Sequence, residues 1–328
     1  MEVLFYRAGN YIGKSKTNDN GVVEFSWNIP PSISSQSDII KASVSGNSNY
    51  NAGEGTATVT YLNITNTKLE VDNLVMYYKN GSRLYGVLTD LNNNPIENAL
   101  VVMVINGVSY EKTTDKNGKF SSAINLNPGN YTIFTKFAGN NDYASSNSTS
   151  TLTVLSTVKG NDLTLYYRNG TKYNALFLDK QGNPLKNTKV TFNINGVMYE
   201  RTTDENGITS GLTINLNPGT YIITATNPIN NQEYSNTITV LPTIVTSNVV
   251  KYYKNGTQFE VKALDNHGNA LAGQKVTFNI NGVFYTRTTN TDGIAILNIN
   301  LAPEEYIITT ECNGCTVSNT VNVLPVII

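Results

Sequence analysis

The chain of 328 residues carries only 14% charged residues and a formal net charge of −1, a balance that favours neither nucleic acid nor an anionic membrane surface as a partner. No run of about 18 apolar residues occurs and Met1-Glu2-Val3 does not open a signal peptide, so nothing is expected to span a bilayer and any export signal or anchor is expected outside this stretch. Abundant instead are Asn, Thr, Ser, Gly and 20 tyrosines, a neutral, polar, β-compatible mixture frequent in secreted modules.

Taken in order, residues 1–64 open inside a repeat. Leu4 to Tyr11 occupies a hairpin position and Thr17 to Gly21 the turn after it, while two opening strands are absent. Val23, Phe25 and Trp27 then alternate, Ser32 to Ser37 reads as a polar loop, and Ala42–Val44 and Ala57–Tyr61 as closing strands. Residues 65–157, 158–243 and 244–328 form three fuller units, each long enough to bury its own core. With two strands missing, Phe5, Phe25 and Trp27 are expected to stand exposed.

The third unit states the pattern most fully. Val190, Phe192 and Ile194 alternate with Thr191 and Asn193, the period of a strand with one buried face, and Asn195-Gly196 supplies the two positive-φ positions of a type I′ hairpin. Val197 and Tyr199 return along the partner strand, Thr203 to Gly207 is an Asx-type turn, and Tyr221 and Ile223 follow the Leu216-Asn217-Pro218-Gly219 corner. These seven apolar residues are the expected core, matched in the fourth unit by Val276, Phe278, Ile280, Val283, Tyr285, Tyr306 and Ile308. Hairpin turns are predicted at Asn106-Gly107, Asn195-Gly196 and Asn281-Gly282, where the glycines stand 89 and 86 residues apart. Upstream, Tyr166-Tyr167-Arg168-Asn169-Gly170-Thr171 is matched by Tyr77 to Ser82 and Tyr252 to Thr257, and is followed by Asp179 to Leu185. About seven strands per unit predict an all-β fold of tandem immunoglobulin-like antiparallel β-sandwich domains. Linkers as short as Leu241-Pro242-Thr243 favour an elongated rod.

The combination of an Asp-x-x-Gly-x-Pro-Leu turn, an Asn-Gly hairpin, a Thr-Thr-Asp-x-Asn-Gly turn and a Leu-x-Pro-Gly-x-Tyr corner resembles the immunoglobulin-like repeats of large prokaryotic surface adhesins. The Asn- and Tyr-rich wording is most similar to adhesin-like proteins of methanogenic archaea. The resemblance covers residues 65–328 and part of 1–64. It implies an extracellular, cell-surface protein without a cofactor, serving as a stalk or fibre segment or as a ligand- or glycan-binding module. The partners implied are an unidentified ligand on a cell surface and neighbouring copies of the chain. The missing strands of the first unit, and Val326-Ile327-Ile328 reading as the opening of another repeat, leave two explanations: a window cut from a longer array, or subunits joined into a filament by strand complementation.

Candidate chemistry is sparse. Cys312 and Cys315 flank a two-residue turn and are a candidate disulfide; zinc would need further ligands, and the single histidine, His267, lies far upstream. One carboxylate per turn at Asp115, Asp204 and Asp292 is too few for calcium and reads as turn chemistry. No paired carboxylate or nucleophile arrangement suggests an enzyme. Asn63, Asn80, Asn130, Asn147, Asn169 and Asn255 begin glycosylation sequons, three of them in the same turn. In each tyrosine pair one ring is expected in the core and the other exposed, and no lysine recurs at an inward strand position for an isopeptide link. Val102 and Val104 stand where the third unit has Thr191 and Asn193, which makes the second unit's outer face the best candidate ligand patch.

Overall fold

A computed structural model describes residues 1–29, 37–61 and 64–326, and every regular element in it is a strand. The chain falls into two compact units, one of residues 1–73, 83–122 and 131–151, the other of residues 74–82, 123–130 and 152–328.

In the first unit, β1 (Glu2–Arg7), β2 (Asn10–Lys16), β3 (Ser37–Val44) and β4 (Gly53–Thr60) form one antiparallel sheet in the order β2-β1-β3-β4. Ala8 (φ 45°) and Gly9 (φ 81°) make the predicted first hairpin turn. No second sheet faces this one among the described residues; residues 22–29 cross it instead without joining a ladder. Phe25 stacks on Phe5 with ring centroids 4.6 Å apart, and the Arg7 guanidinium, ion-paired with Asp38, lies 5.5 Å from the Trp27 ring. The expected exposure of Phe5, Phe25 and Trp27 is therefore corrected to half-burial, because the chain's own extended segment covers them. The result is a thin layer, with Val3 its only fully buried apolar side chain among the described residues.

The second repeat contributes β5 (Thr67–Val71), β6 (Leu74–Tyr77), β7 (Arg83–Asp90), β8 (Leu100–Ile105), β9 (Val108–Thr113), β10 (Lys119–Ala123), β11 (Gly129–Phe137) and β12 (Ser146–Leu155). Within the first unit, β7 is the middle strand of β10-β7-β5, and β8 pairs with both β9 and β11. Leu84, Leu88, Val101, Met103, Ile105, Phe120 and Ile133 are buried there.

In the second unit, β6 runs parallel to the end of β12. The third repeat follows as β13 (Val158–Gly160), β14 (Leu163–Tyr166), β15 (Lys172–Tyr173), β16 (Ala175–Phe177), β17 (Lys189–Ile194), β18 (Val197–Thr202), β19 (Leu212–Thr213), β20 (Gly219–Asn227) and β21 (Gln232–Leu241). The fourth is β22 (Ile244–Thr246), β23 (Val249–Tyr252), β24 (Gln258–Ala263), β25 (Lys275–Ile280), β26 (Val283–Thr288), β27 (Ile294–Asn298), β28 (Glu304–Cys312) and β29 (Cys315–Leu324). Each repeat has a five-stranded sheet, β14-β21-β20-β17-β18 and β23-β29-β28-β25-β26. Narrower ladders make up the rest, β13-β16 and β15-β19 in the third repeat and β22-β24-β27 in the fourth.

In the second, third and fourth repeats the first strand is broken, its halves lying in different sheets, which adds a strand to the seven expected; in the third, β15 and β16 divide one more. A polar side chain holds each break: Asn73, Asp162 and Asn248 accept the backbone N–H of Thr151, Thr237 and Thr320. All three predicted Asn-Gly turns form, with both residues at positive φ (50° and 75°, 51° and 78°, 50° and 77°). Tyr221 and Tyr306 donate their hydroxyls to the carbonyls of Asn217 and Ala302, tying down the corner four residues upstream.

Val190, Phe192, Ile194 and Ile223 are buried as expected, as are Val276, Phe278, Ile280, Tyr306 and Ile308. Tyr199 and Tyr221 are half-buried at the core's margin, and Val197, Val283 and Tyr285 are exposed, a correction. These last three lie on β18 and β26, edge strands of a five-stranded sheet that a narrower second layer does not cover.

Candidate interaction surfaces

Two joints between repeats lie within the second unit and are built alike. The turn after β6 places the Tyr77 ring on Gly182 of the third repeat, and the turn after β14 places Tyr166 on Gly268 of the fourth. Each glycine sits at φ +87° in its Asp-x-x-Gly-Asn turn, and a Cβ on Gly268 would stand 2.6 Å from the Tyr166 ring. Only glycine meets both demands. The next residues extend the contact. Lys79 Nζ donates to the Asn230 carbonyl at 3.4 Å and Asn230 Nδ2 to the Tyr78 carbonyl at 3.3 Å, while in the second joint Asn266 Nδ2 donates to the Arg168 carbonyl at 3.3 Å. The Arg168 guanidinium lies against Gly314.

The aspartate of each receiving turn orders it. Asp179 Oδ1 accepts the N–H groups of Gln181 and Asn183, and Asp265 Oδ1 those of His267 and Asn269. Burial pushes the Asp179 carboxyl up, but the bonds from Asn183, Gln181 and Gly182 outweigh it and hold the pKa below its usual value. At Asp265 the bonds from Asn269 dominate in the same direction. Turn chemistry likewise accounts for Asp115 and Asp204, each accepting two N–H groups of its own turn. In the fourth repeat that role falls to Asn290 and not to Asp292, a correction of two positions. Among the described residues no group of three or more potential metal-ligating side chains converges.

Beside these contacts the joints differ. In the first, the buried Gln232 Oε1 accepts both the N–H and the hydroxyl of Thr157 at 2.7 Å. Asn227 and Asn230 donate to that hydroxyl, and Asn227 also donates to the Leu178 carbonyl. In the second, the loop carrying these amides is replaced by a tight hairpin, Asn313 (φ 50°) and Gly314 (φ 79°), in which Cys312 and Cys315 stand directly opposite in register. Both cysteines are buried as free thiols, and burial pushes the Cys312 thiol pKa up.

The tyrosine pairs depart from the expected division into one core and one exposed ring. Tyr77, Tyr78 and Tyr166 are half-buried and Tyr167 buried, whereas Tyr252 and Tyr253 are both exposed. One lysine does point inward, in the fourth repeat, without recurring in the others. Lys251 is buried at a position held by Met76 and Leu165 in the others, and its Nζ donates to the carbonyls of Asn255, Thr257 and Ile299 at 3.0, 3.0 and 2.7 Å.

Of the sequon asparagines, Asn80, Asn169 and Asn255 each accept the N–H two residues on, so their side chains also build the tyrosine turns. Asn130 accepts the Thr153 hydroxyl and is exposed, as is Asn147; Asn63 and residues 327 and 328 lie outside the described residues. On the second repeat's outer face, Val102 and Val104 line a groove of about 500 Å³ with Leu100 and Phe134. Phe134 opposes Val104, where the third and fourth repeats pair Thr224 with Asn193 and Thr309 with Asn279.

No family model matches the chain, and no curated protein matches it in sequence. Solved structures are similar to it at low identity. A Ca²⁺-stabilized adhesin with which an Antarctic bacterium binds ice is 16% identical, covering 98% of this chain and 90% of its own, with a TM-score of 0.25. The I9–I11 tandem of titin is 15% identical, covering 79% and 100%, with a TM-score of 0.27. The Escherichia coli adhesin FdeC is 16% identical, covering 80% and 98%, with a TM-score of 0.24. At such scores the likenesses carry no argument; the fold, tandem immunoglobulin-like β-sandwich repeats, rests on the ladders above.

Proposed function

We propose that this chain is a stalk segment of a cell-surface adhesin, extracellular and non-enzymatic, whose stiffness comes from repeats that pack directly on one another. The observation that carries the reading is the Tyr166 ring seated on Gly268, an arrangement repeated by Tyr77 on Gly182. A flexible string of modules has no use for a glycine kept free of a Cβ by its neighbour's ring. The resemblance to prokaryotic surface adhesins and the neutral, Thr- and Asn-rich sheet faces support the same reading. Small-angle scattering of the chain is expected to show an elongated particle; a compact globule overturns the stalk.

A second reading rests on the Val102–Phe134 groove, an apolar patch with no counterpart on the third and fourth repeats, where adhesin and ligand would meet. Binding to whole cells or a glycan array that is lost in a Val102→Thr/Val104→Asn chain would establish it. Unchanged binding, or none, leaves the stalk alone.

A further inference from the structure

The turn that seats one repeat on the next occurs three times, and the structure covers two of them. Tyr252-Tyr253-Lys254 has the backbone of its counterparts: Lys254 lies at φ 58°, against 54° at Lys79 and 55° at Arg168. Tyr253 N–H donates to the Leu324 carbonyl at 2.9 Å, as Tyr78 does to Leu155 at 3.0 Å and Tyr167 to Leu241 at 2.9 Å. The cation stacks on its tyrosine at 5.2 Å, against 5.0 Å in both others. Yet Tyr252 is 56% exposed and Tyr253 37%, while Tyr167 is 6%.

The uncovered turn is held in shape from within. Lys251 Nζ gathers the carbonyls of Asn255 and Thr257, on either side of the turn's glycine, and of Ile299, where the covered turns of the other repeats have Met76 and Leu165. Hydrogen bonds from a charged donor are among the stronger ones, so this clamp fixes the turn without a neighbour. A preorganised surface that repeats the geometry of two occupied ones is built to be occupied.

We propose that Tyr252–Lys254 is a docking surface for an immunoglobulin-like repeat that carries glycine in an Asp-x-x-Gly-Asn turn, joined in tandem through Leu324-Pro325 as the fourth repeat is joined through Leu241-Pro242. The occupant follows from the internal joints, where the ring rests on Gly182 or Gly268 and the cation reaches a hairpin tip. A second copy of this chain does not fit. Its remaining turn of that type, Asp90 to Asn94, is exposed from Leu91 onward and has Asn93 (φ 66°) at the glycine position, so a side chain stands where the ring must lie. Asn93 keeps the backbone and blocks the seat.

The proposal rests on the tandem-array reading, and one experiment separates the two. The full chain is extended after Val326 with a copy of residues 158–243, in the register by which Thr243 leads into Ile244. Hydroxyl-radical modification of Tyr252 is then measured by peptide mapping, with Tyr77 as internal standard. Tyr252 reactivity is expected to fall to the Tyr77 level on extension, and to return to that of the unextended chain when the glycine of the added Asp-x-x-Gly turn is replaced by Asn. If Tyr252 stays as reactive as before while calorimetry shows the added repeat folded, or if the Asn variant protects it equally, the docking surface is overturned. Head-to-tail association of the unextended chain that Tyr252→Ala abolishes would overturn the exclusion of a second copy. If Tyr77 is as reactive as Tyr252 in the unextended chain, the array reading itself falls.

Discussion

The two joints of the second unit share a seat and differ in their filling. Tyr77 on Gly182 and Tyr166 on Gly268 are the same contact made twice, while beside them one joint buries an amide network around Thr157 and the other a pair of thiols. Seat and filling therefore answer different demands: the ring on the bare Cα sets how repeats meet, and the filling only has to close the space without leaving a polar group unpaired. The polar filling is the more exacting of the two, because its members satisfy one another and none can be removed alone.

That asymmetry gives the largest predicted effect. Gln232→Ala deprives the buried Thr157 N–H and hydroxyl of their shared acceptor, and at roughly 1–3 kcal/mol for each stranded group the third repeat should lose about 2–6 kcal/mol in denaturant unfolding. A loss near zero would mean that the network is dispensable. Next comes the seat. Gly268→Ala adds a Cβ at positive φ against Tyr166, and a cost of about 1–3 kcal/mol is expected, together with increased labelling of Tyr166. Gly273→Ala, at φ +70° with open space around it, is the control for backbone strain alone and should leave Tyr166 protected.

The thiol filling should respond less. Cys315→Ala removes one small buried group, for which about 1 kcal/mol is expected. Oxidation that joins Cys312 to Cys315, its two electrons passing to an added oxidant and read as a mass loss of two hydrogen atoms, should raise stability if the registered pair accepts the bond without strain. The smallest effect is electrostatic and shared by both joints. Asp179 and Asp265 are held below the usual 3.8, so their contribution is complete above that pH and is lost as pH falls through the folded-state values. Carboxyl titration by NMR should give midpoints below 3.8 for both; a midpoint above it for either would contradict the turn geometry.

The hairpins were legible because Asn195-Gly196 and its counterparts are local devices, fixed by which residues tolerate positive φ. Core strands such as Val190 to Ile194 were legible for the same reason, their alternation being a property of the strand itself. The exposure of Val197 and Tyr285 was not, since it depends on how far the facing sheet extends. Nor was the covering of Tyr166, whose partner glycine belongs to the next repeat. A signal was present all the same: Tyr-Tyr-x-Asn-Gly and Asp-x-x-Gly-Asn recur in step, and the one turn with Asn93 in place of glycine follows a repeat, residues 1–64, that carries no Tyr-Tyr pair. Lys251 shows the opposite limit. A lysine at an alternating strand position reads as outward, and only the three carbonyls waiting around its head group make the inward placement tolerable.

The central claim, that seated repeats move together, is tested most directly by residual dipolar couplings of the backbone amides in the full chain. If Tyr166 on Gly268 holds the third and fourth repeats as one body, couplings from residues 158–243 and 244–326 should fit a single alignment tensor, and Gly268→Asn should split it into two. Two distinct tensors in the unaltered chain would contradict the account.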